Sequence, residues 1–347
     1  MIRALYILVP FGFIATGWSQ GHYLSFLIGA LIVLSTMIKN LPVRLFLYQS
    51  AVWCFILQVW VLINPFVGLV ASRSVGMILN LILGFSIYVA VAKSKISKEA
   101  FFNIICIGAI IQSLIALLQA VHADPVFWLV SQFASIEYGC QEGLGTGTLR
   151  NTNYLAAYLA ISAPFFFRKR WCYFLPVITY LLLTLNTTTA IVAVSVGLVA
   201  YFRQWWVLTL ASLGAFVFMC FIDSNPVLES PRFTIWGNIL RQLLAHPLEM
   251  VFGYSPGAQT GYSFPLHNEW LELFYRWGVI GVFTAAMYIK GFFGFVQYNR
   301  ILTSALVVAA VNCLGNHPLH LAPSTFLIMI IMGLLEREQN GKLSHPG

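Results

Sequence analysis

The stretch FFNIICIGAIIQSLIALLQAV, residues 101–121, contains no charged side chain. A transmembrane α-helix needs about 20 predominantly apolar residues to cross the hydrocarbon core of a bilayer, and this stretch is long enough. Similar apolar runs occupy residues 4–18, 22–38, 44–63, 75–92, 152–167, 171–186, 188–202, 205–222, 278–296, 301–316 and 322–336. The pattern predicts an all-α, polytopic membrane protein with about twelve transmembrane helices, which form one membrane domain over residues 1–347.

The composition agrees with this interpretation. The chain is 59% hydrophobic and 9% charged, with a mean hydropathy of +0.83, whereas soluble domains carry about 25% charged residues. Lipid is therefore expected to surround most of the chain. A net charge of +8 would suggest nucleic acid as the partner of a soluble protein. Here membrane topology explains the basic residues better, so membrane lipids are the expected partner and nucleic acid is not.

The distribution of Lys and Arg predicts the orientation. Cytoplasmic loops of membrane proteins are enriched in these residues. With both termini in the cytoplasm, 14 of the 19 basic residues lie inside, and the reverse orientation leaves five there. The 14 are Arg3, Lys39, Arg44, Lys93, Lys95, Lys98, Arg168, Lys169, Arg170, Arg203, Lys290, Arg300, Arg337 and Lys342.

The five basic residues left outside are all arginines, whose planar guanidinium binds phosphate or carboxylate through two parallel hydrogen bonds. They are Arg73, Arg150, Arg232, Arg241 and Arg276. Three of them belong to the loop of residues 223–277, which is far longer than most other connections. Loops of this length are usually functional or disordered, and the many aromatic residues here disfavour disorder. We expect this large extracytoplasmic loop to carry the active site.

Three segments could carry chemistry. In FPLHNEWLELFYRWGVIG, residues 264–281, Asn268 is a helix start signal and Gly278 breaks the helix. Glu272 and Arg276 lie four residues apart on one face, where they could form a simple surface ion pair of ~0.3–0.5 kcal/mol. His267 could instead take a proton from a hydroxyl group at neutral pH, or merely lie at the level of the lipid headgroups.

The second segment, SPRFTIWGNILRQLLAHPL, residues 230–248, predicts an amphipathic helix with Ile235, Ile239, Leu240 and Leu243 on one side. Arg232 lies at its N-terminal end, where free backbone N–H groups also favour an anion. The helix could therefore hold a pyrophosphate, or contact lipid headgroups.

The third segment, GTGTLRNTNYLAAYLA, residues 145–160, leads into a span, and Asn151 or Asn153 could simply cap the helix. It lacks the Gly-Lys-Ser/Thr ending of a phosphate-binding P-loop. The chain has only two aspartates, Asp124 and Asp223, so no carboxylate-bound metal is expected. What remains is metal-free chemistry by a His base and Arg groups on an anionic, lipid-borne substrate.

Together, the three segments resemble the O-antigen ligase and polymerase family of bacterial envelope glycosyltransferases. Its members share, in this order, a G-T-x-x-N-x-N stretch, an Arg-x-x-x-Trp helix, a Pro/Gly stretch, an H-N-x-x-L-E helix and a Gly-x-x-Gly stretch. The matching residues are Gly147, Thr148, Asn151, Asn153, Arg232, Trp236, Pro247 to Gly253 (with slightly wider spacing), His267, Asn268, Leu271, Glu272, Gly278 and Gly281. The resemblance covers about residues 150–320.

The resemblance implies a GT-C-like, inverting, metal-independent glycosyltransferase without a cofactor, in the bacterial inner membrane. It implies transfer of a glycan from undecaprenyl diphosphate to an acceptor such as lipid A-core, on the periplasmic face. By resemblance, His267 activates the acceptor hydroxyl and Arg232 binds the diphosphate. Many members also carry an Arg where residues 186–190 have none, and we expect Arg150 to supply that charge. The substrate-binding residues predicted in this way are Arg232, Arg150, Arg276, Asn268, Glu272 and Asn153.

Other functions remain open. A polymerase would join the glycan to another repeat unit with the same motifs and the same donor. Transfer to Ser or Thr of a protein usually comes with a longer chain. A transporter would need ionisable groups near the bilayer midplane, whereas the spans hold polar residues such as Gln58 and Gln112 but essentially no charges at mid-depth.

Overall fold

A computed structural model describes residues 83, 84, 86–125, 128, 145–149, 151–185, 187–203, 231–254, 268–293, 299–315 and 322–343. Throughout this described part, every regular element is a helix, which agrees with the predicted all-α class. The predicted spans at 4–18, 22–38, 44–63 and 205–222 lie outside the described residues, as do two predicted site residues, Arg150 and His267.

Nine α-helices are described with defined bounds. They are α1 (Lys98–Ala120), α2 (Thr152–Ser162), α3 (Leu175–Thr184), α4 (Thr188–Phe202), α5 (Pro231–Ala245), α6 (Pro247–Phe252), α7 (Glu269–Phe293), α8 (Arg300–Asn312) and α9 (Ala322–Leu343). Short 3₁₀ helices, Ala163–Phe167 and Cys172–Phe174, join α2 to α3. Residues 86–92 are helical as well.

The lengths of these helices differ from the predicted spans. Among the described residues, only α1 is both long and apolar enough to cross a membrane by length and composition, and three shorter apolar helices occupy Cys172–Thr184, Thr188–Phe202 and Arg300–Asn312. Prolines shorten two of the predicted spans: Pro164 lies in the 3₁₀ turn after α2, and Pro176 lies in the first turn of α3. Proline lacks the N–H that an α-helix interior requires. The number of spans therefore stays a prediction.

Helix α2 is the centre of the bundle. All its residues from Tyr154 to Ser162 are buried, and it packs against α1, α4, α8 and α9. A helix that is apolar on every side is stable when neighbours surround it completely. Alanines such as Ala156 and Ala160 keep it narrow enough for this central position.

Helices α4 and α8 run antiparallel in close contact. The Ser304 hydroxyl donates to the Gly197 carbonyl at 2.6 Å, and a Cβ atom at Gly197 would collide with Val308. Further along, Gly315 lies directly against Thr189. The start of α4 and the end of α8 therefore lie at the same end of the bundle.

One end of the bundle collects basic side chains. Lys98 pairs with Glu338 at 3.2 Å, and Arg337 donates to the Ile96 carbonyl. The antiparallel pairing brings Arg203 and Arg300 to the same end. We call this the basic end; its basic residues are Lys93, Lys95, Lys98, Arg168, Lys169, Arg170, Arg203, Arg300 and Arg337.

The opposite end, which we call the loop end, consists of residues 145–149, 151–154, 187–189, 268–277 and 312–315. Helices α5 and α6 pack here on the first turns of α7, and the small core between them contains Ile239, Leu243, Leu271 and Tyr275. The predicted apolar face of α5 is thus confirmed for Ile239 and Leu243. Leu240, which the sequence places on the same side, is 42% exposed.

Candidate functional site

The Gly-Thr-Gly-Thr segment is held against α1 by two glutamines. The Gln112 amide donates to Thr148 Oγ1 at 2.6 Å, and its Oε1 accepts from the Thr148 N–H at 2.9 Å. Gln119 donates to the Gly147 carbonyl at 2.9 Å and accepts from the Thr146 N–H at 2.8 Å. All these groups are buried, where polar atoms need partners. The two glutamines therefore fix the path of residues 145–149.

Both glycines of this segment are required by the geometry. Gly147 has a φ of 57°, in the left-handed region that favours glycine. A Cβ atom at Gly145 would collide with the backbone of Ala116, and one at Gly147 would collide with the Gln112 side chain. The spacing of these glycines thus reflects packing against α1, and no bound phosphate is needed to explain it.

The segment leads directly into α2 through a helix cap. The Asn151 side chain accepts from the Asn153 N–H at 2.8 Å, which confirms Asn151 as the capping residue. Asn153 itself lies half-buried in the first turn of α2. Its predicted role in binding substrate stays a prediction.

The start of α7 is fastened to the end of α8. Asn268 caps α7, since its Oδ1 accepts from the Leu271 N–H at 3.0 Å. The Glu269 N–H donates to the Cys313 carbonyl at 2.8 Å, and the Trp270 indole N–H lies 3.4 Å from the Ala310 carbonyl. The residue that follows His267 is therefore held rigidly at the loop end.

Charges are buried in this first part of α7. Glu269 and Glu272 are each only 6% exposed, and Arg276 pairs with Glu272. The predicted i,i+4 pair is thus present, but the alternative of a simple surface bridge is wrong. Burying a carboxylate is costly unless it is paired. Clusters of buried, interacting charges are typical of functional sites.

Tyr154 connects the two halves of the site. Its buried phenol lies within electrostatic range of Glu272 and Glu269. The start of α2 and the start of α7 therefore meet, although more than 100 residues separate them in the chain. Sequence reasoning missed Tyr154; the available signal was a tyrosine one turn after the Asn151 cap, at the end of the helix that adjoins the Gly-Thr-Gly-Thr segment.

The remaining predicted residues have different outcomes. Asn268, Glu272 and Arg276 lie together at the loop end, with Asn153 at the start of the adjoining α2. Arg232 lies in the first turn of α5, and its side chain is not among those described. Within the described ranges, no three His, Cys, Asp or Glu side chains come together as they would around a metal ion.

The loop end brings a phenol, two carboxylates and a guanidinium together next to apolar helices. Phenols and carboxylates are groups that bind hydroxyls, and the five N–H donors of a guanidinium exceed what one carboxylate accepts. The chain matches no protein-family model and no curated protein. The resemblance to O-antigen ligases therefore depends on the motifs alone.

Proposed function

We propose that the chain is an O-antigen ligase-like glycosyltransferase of the bacterial inner membrane. It transfers a glycan from undecaprenyl diphosphate to an acceptor, lipid A-core or a similar molecule, at the periplasmic face. The reaction is metal-independent and inverts the configuration at the transferred sugar. The loop of residues 223–277, together with the start of α2, forms the active site.

One observation carries the proposal. Two of the motif segments, Gly147 to Asn153 and Asn268 to Glu272, lie at the same end of the bundle, and Tyr154 joins them through its interaction with Glu269 and Glu272. Unrelated motif matches would have no reason to converge. Their convergence around buried charges supports a shared site.

The segregation of charge supports the orientation. The basic end matches the cytoplasmic side under the positive-inside rule, so the loop end faces the periplasm. Helix α1 joins the two ends. Its 23 residues are long and apolar enough to cross a membrane. This orientation supports a site at the membrane face where a polyprenyl-linked glycan presents its diphosphate.

The residues of the chain have distinct parts in the proposed reaction. His267 takes the proton from the acceptor hydroxyl, whose oxygen then forms a bond to the anomeric carbon of the donor sugar. The bond from that carbon to the phosphate oxygen breaks, and its electron pair leaves with undecaprenyl diphosphate. Arg232 and Arg150 bind the diphosphate and stabilise this charge. Asn268 anchors the base to α7, and Glu272 with Arg276 fixes the first turns of that helix.

A polymerase that joins repeat units is the alternative with the same donor and motifs. Transport is less well supported, because α1, α2, α3, α4 and α8 carry charged residues only at their ends. Ionisable groups near the midplane are what transporters use. Transfer to a protein acceptor is the remaining variant.

The proposal is tested by replacing His267 with Ala and measuring glycan transfer in membranes that contain the undecaprenyl-linked donor. We expect transfer to fall by at least about 100-fold, the usual contribution of a general base. His122→Asn is the matched control, since His122 is an exposed His with a φ of 60° that Asn tolerates. Normal transfer by His267→Ala at equal expression would contradict the catalytic role.

A further inference from the structure

A group of aromatic and polar side chains surrounds Tyr254 on the α5–α6 side of the loop end. The Tyr254 ring stacks on Tyr275 with 4.7 Å between ring centroids and an interplanar angle of 26°. The His246 ring lies 6.4 Å from Tyr254 in an edge-on arrangement. Gln242 interacts with both phenols, and the Glu249 carboxylate acts electrostatically on Tyr254. We call these five residues the Tyr254 cluster.

The Tyr254 cluster is accessible. Tyr275 and the hydroxyl oxygen of Tyr254 are buried; His246 is exposed, and Gln242, Glu249 and the rest of Tyr254 are half-buried. The cluster joins α5, α6 and α7, and the Tyr254 N–H donates to the Tyr275 carbonyl at 2.9 Å. It is therefore a rigid, partly open surface held by three elements.

The phenols of the cluster remain protonated at neutral pH. Burial raises the pKa of both Tyr254 and Tyr275 above its usual value, and the nearby Glu249 adds to this effect at Tyr254. A neutral phenol both donates and accepts hydrogen bonds. The two phenols thus add no charge to the cluster, and its accessible polar groups are the His246 imidazole, the Gln242 amide and the Glu249 carboxylate.

We infer that the Tyr254 cluster is a saccharide-binding subsite, which holds part of the glycan beside the reaction centre. This inference rests on the proposed glycosyltransferase function. A sugar presents an apolar ring face and a rim of hydroxyls. The half-buried Tyr254 ring, held in place by its stacking on Tyr275, matches the ring face, and the imidazole, amide and carboxylate groups match the hydroxyls.

A different ligand class fits less well. The Glu249 carboxylate would repel a phosphate, and the Arg241 guanidinium lies back along α5, 3.8 Å from where a Gly237 Cβ atom would be. The cluster also adjoins the reaction centre, since Tyr275 precedes Arg276, the partner of Glu272. A glycan whose linkage to phosphate lies near α7 could therefore extend over Tyr254.

The test uses the full-length protein in lipid nanodiscs and the oligosaccharide that mild acid releases from the host's polyprenyl-linked glycan. Binding is measured by saturation-transfer NMR, and the KM and kcat of transfer are measured in parallel. We expect Tyr254→Ala and His246→Ala each to weaken binding and raise KM by about tenfold, with kcat nearly unchanged. Tyr254→Phe keeps the ring and should have a smaller effect. Tyr173→Ala, at a tyrosine that is 82% exposed at the basic end, should change nothing.

The outcomes separate the subsite from the reaction. Wild-type-like binding and KM in Tyr254→Phe, Tyr254→Ala and His246→Ala, with intact transfer, would overturn the subsite and leave the proposed function standing. Tyr254-dependent binding by a wild-type protein that transfers no glycan would support the subsite and overturn the transferase. If Tyr254→Ala and His246→Ala bound the glycan as the wild type does, but changed the quenching of Trp236 fluorescence by brominated phospholipid, the cluster would contact lipid headgroups. That result would overturn the inference.

Discussion

The two ends of the bundle handle charge differently, although a buried carboxylate is found at the basic end too, where Glu336 is 5% exposed. At the basic end, Lys98 and Glu338 form a pair whose side chains are 34% and 17% exposed. At the loop end, Glu269 and Glu272 are almost fully buried. Arg276, which pairs with Glu272, has a side chain that is 19% exposed. Exposed ion pairs contribute about 0–1 kcal/mol, whereas buried charges are costly to remove from water.

This difference distinguishes charges that reflect membrane orientation from charges that indicate a functional site. Many exposed Lys and Arg at one end need only water and suit the cytoplasmic side of a membrane. Buried carboxylates at the other end oppose folding unless a partner compensates them. The loop end has two of them three residues apart, Glu269 and Glu272, beside Asn268 and Tyr154, and this grouping is the stronger indication of a functional site. Three predictions test the comparison, from the largest expected effect to the smallest.

The first prediction concerns which end is in the cytoplasm. Cys172 is an exposed, free thiol at the basic end. In spheroplasts of a bacterial host, we expect a membrane-impermeant maleimide to leave Cys172 unlabelled until the membrane is permeabilised. The labelling of Cys172 is obtained by subtracting the maleimide incorporated by the Cys172→Ser variant from that incorporated by the wild-type chain. An all-or-none change on permeabilisation is expected because the bilayer excludes the reagent.

Cys140 provides the reciprocal control, since the sequence assigns it to the outer loop of residues 122–150. It should react without permeabilisation, and Cys140→Ser should lose that reaction. Labelling of Cys172 in intact spheroplasts would reverse the orientation and move the loop end to the cytoplasm. A periplasmic transferase would then be excluded.

The second prediction compares the two ion pairs directly. Replacing Arg276 with Met leaves the buried Glu272 carboxylate without its paired cation. We expect the free energy of unfolding to fall by roughly 3 kcal/mol. Lys98→Met breaks the half-exposed pair with Glu338 and should cost about 1 kcal/mol. Unfolding is measured by titrating the purified protein with SDS in mixed micelles.

The double variant Glu272→Met with Arg276→Met sharpens this test. Replacing both members of a buried pair by apolar residues of similar size is often neutral, so it should recover most of the lost stability but not the transfer activity. Equal losses for Arg276→Met and Lys98→Met would show that the two ends do not differ in electrostatic environment, which contradicts the comparison.

Local signals in the sequence were sufficient for the helix boundaries of the site. Asn151 and Asn268 cap their helices, and Glu272 reaches Arg276, because these features depend only on residues within one or two turns. Gly278 was expected to break the helix after residue 277, and its φ of 63° produces a kink there.

Long-range features could not be predicted in this way. The bonds from Gln112 and Gln119 to residues 146–148 span about 30 positions, and their signal was only the spacing of seven residues, which brings both amides to one face of α1. Leu240 is exposed although it belongs to the predicted apolar side of α5, because a helical pattern gives that side but not which part of it a neighbour covers. Burial of Glu269 and Glu272 depends on α2 and α8, which no local pattern reveals.

The third prediction concerns how α6 docks on the kinked helix α7. Gly278 has a positive φ, and a Cβ atom there would collide with the Val251 carbonyl. Gly278→Ala should therefore displace α6 from α7 and lower the free energy of unfolding by about 2 kcal/mol. It should also reduce transfer, since Tyr254 follows α6 and bonds to the Tyr275 carbonyl.

Gly237→Ala, in the neighbouring helix α5, is the matched control. Gly237 lies within α5, where an added Cβ atom meets only the flexible end of Arg241 at 3.8 Å. Because Ala favours the helix over Gly, this variant should gain about 0.5–1 kcal/mol. Opposite signs for the two glycines would locate the strain at the α6–α7 contact. If Gly278→Ala were as stable as the wild type, the kink would not depend on this close approach, and the rigid placement of the Tyr254 cluster would lose its physical basis.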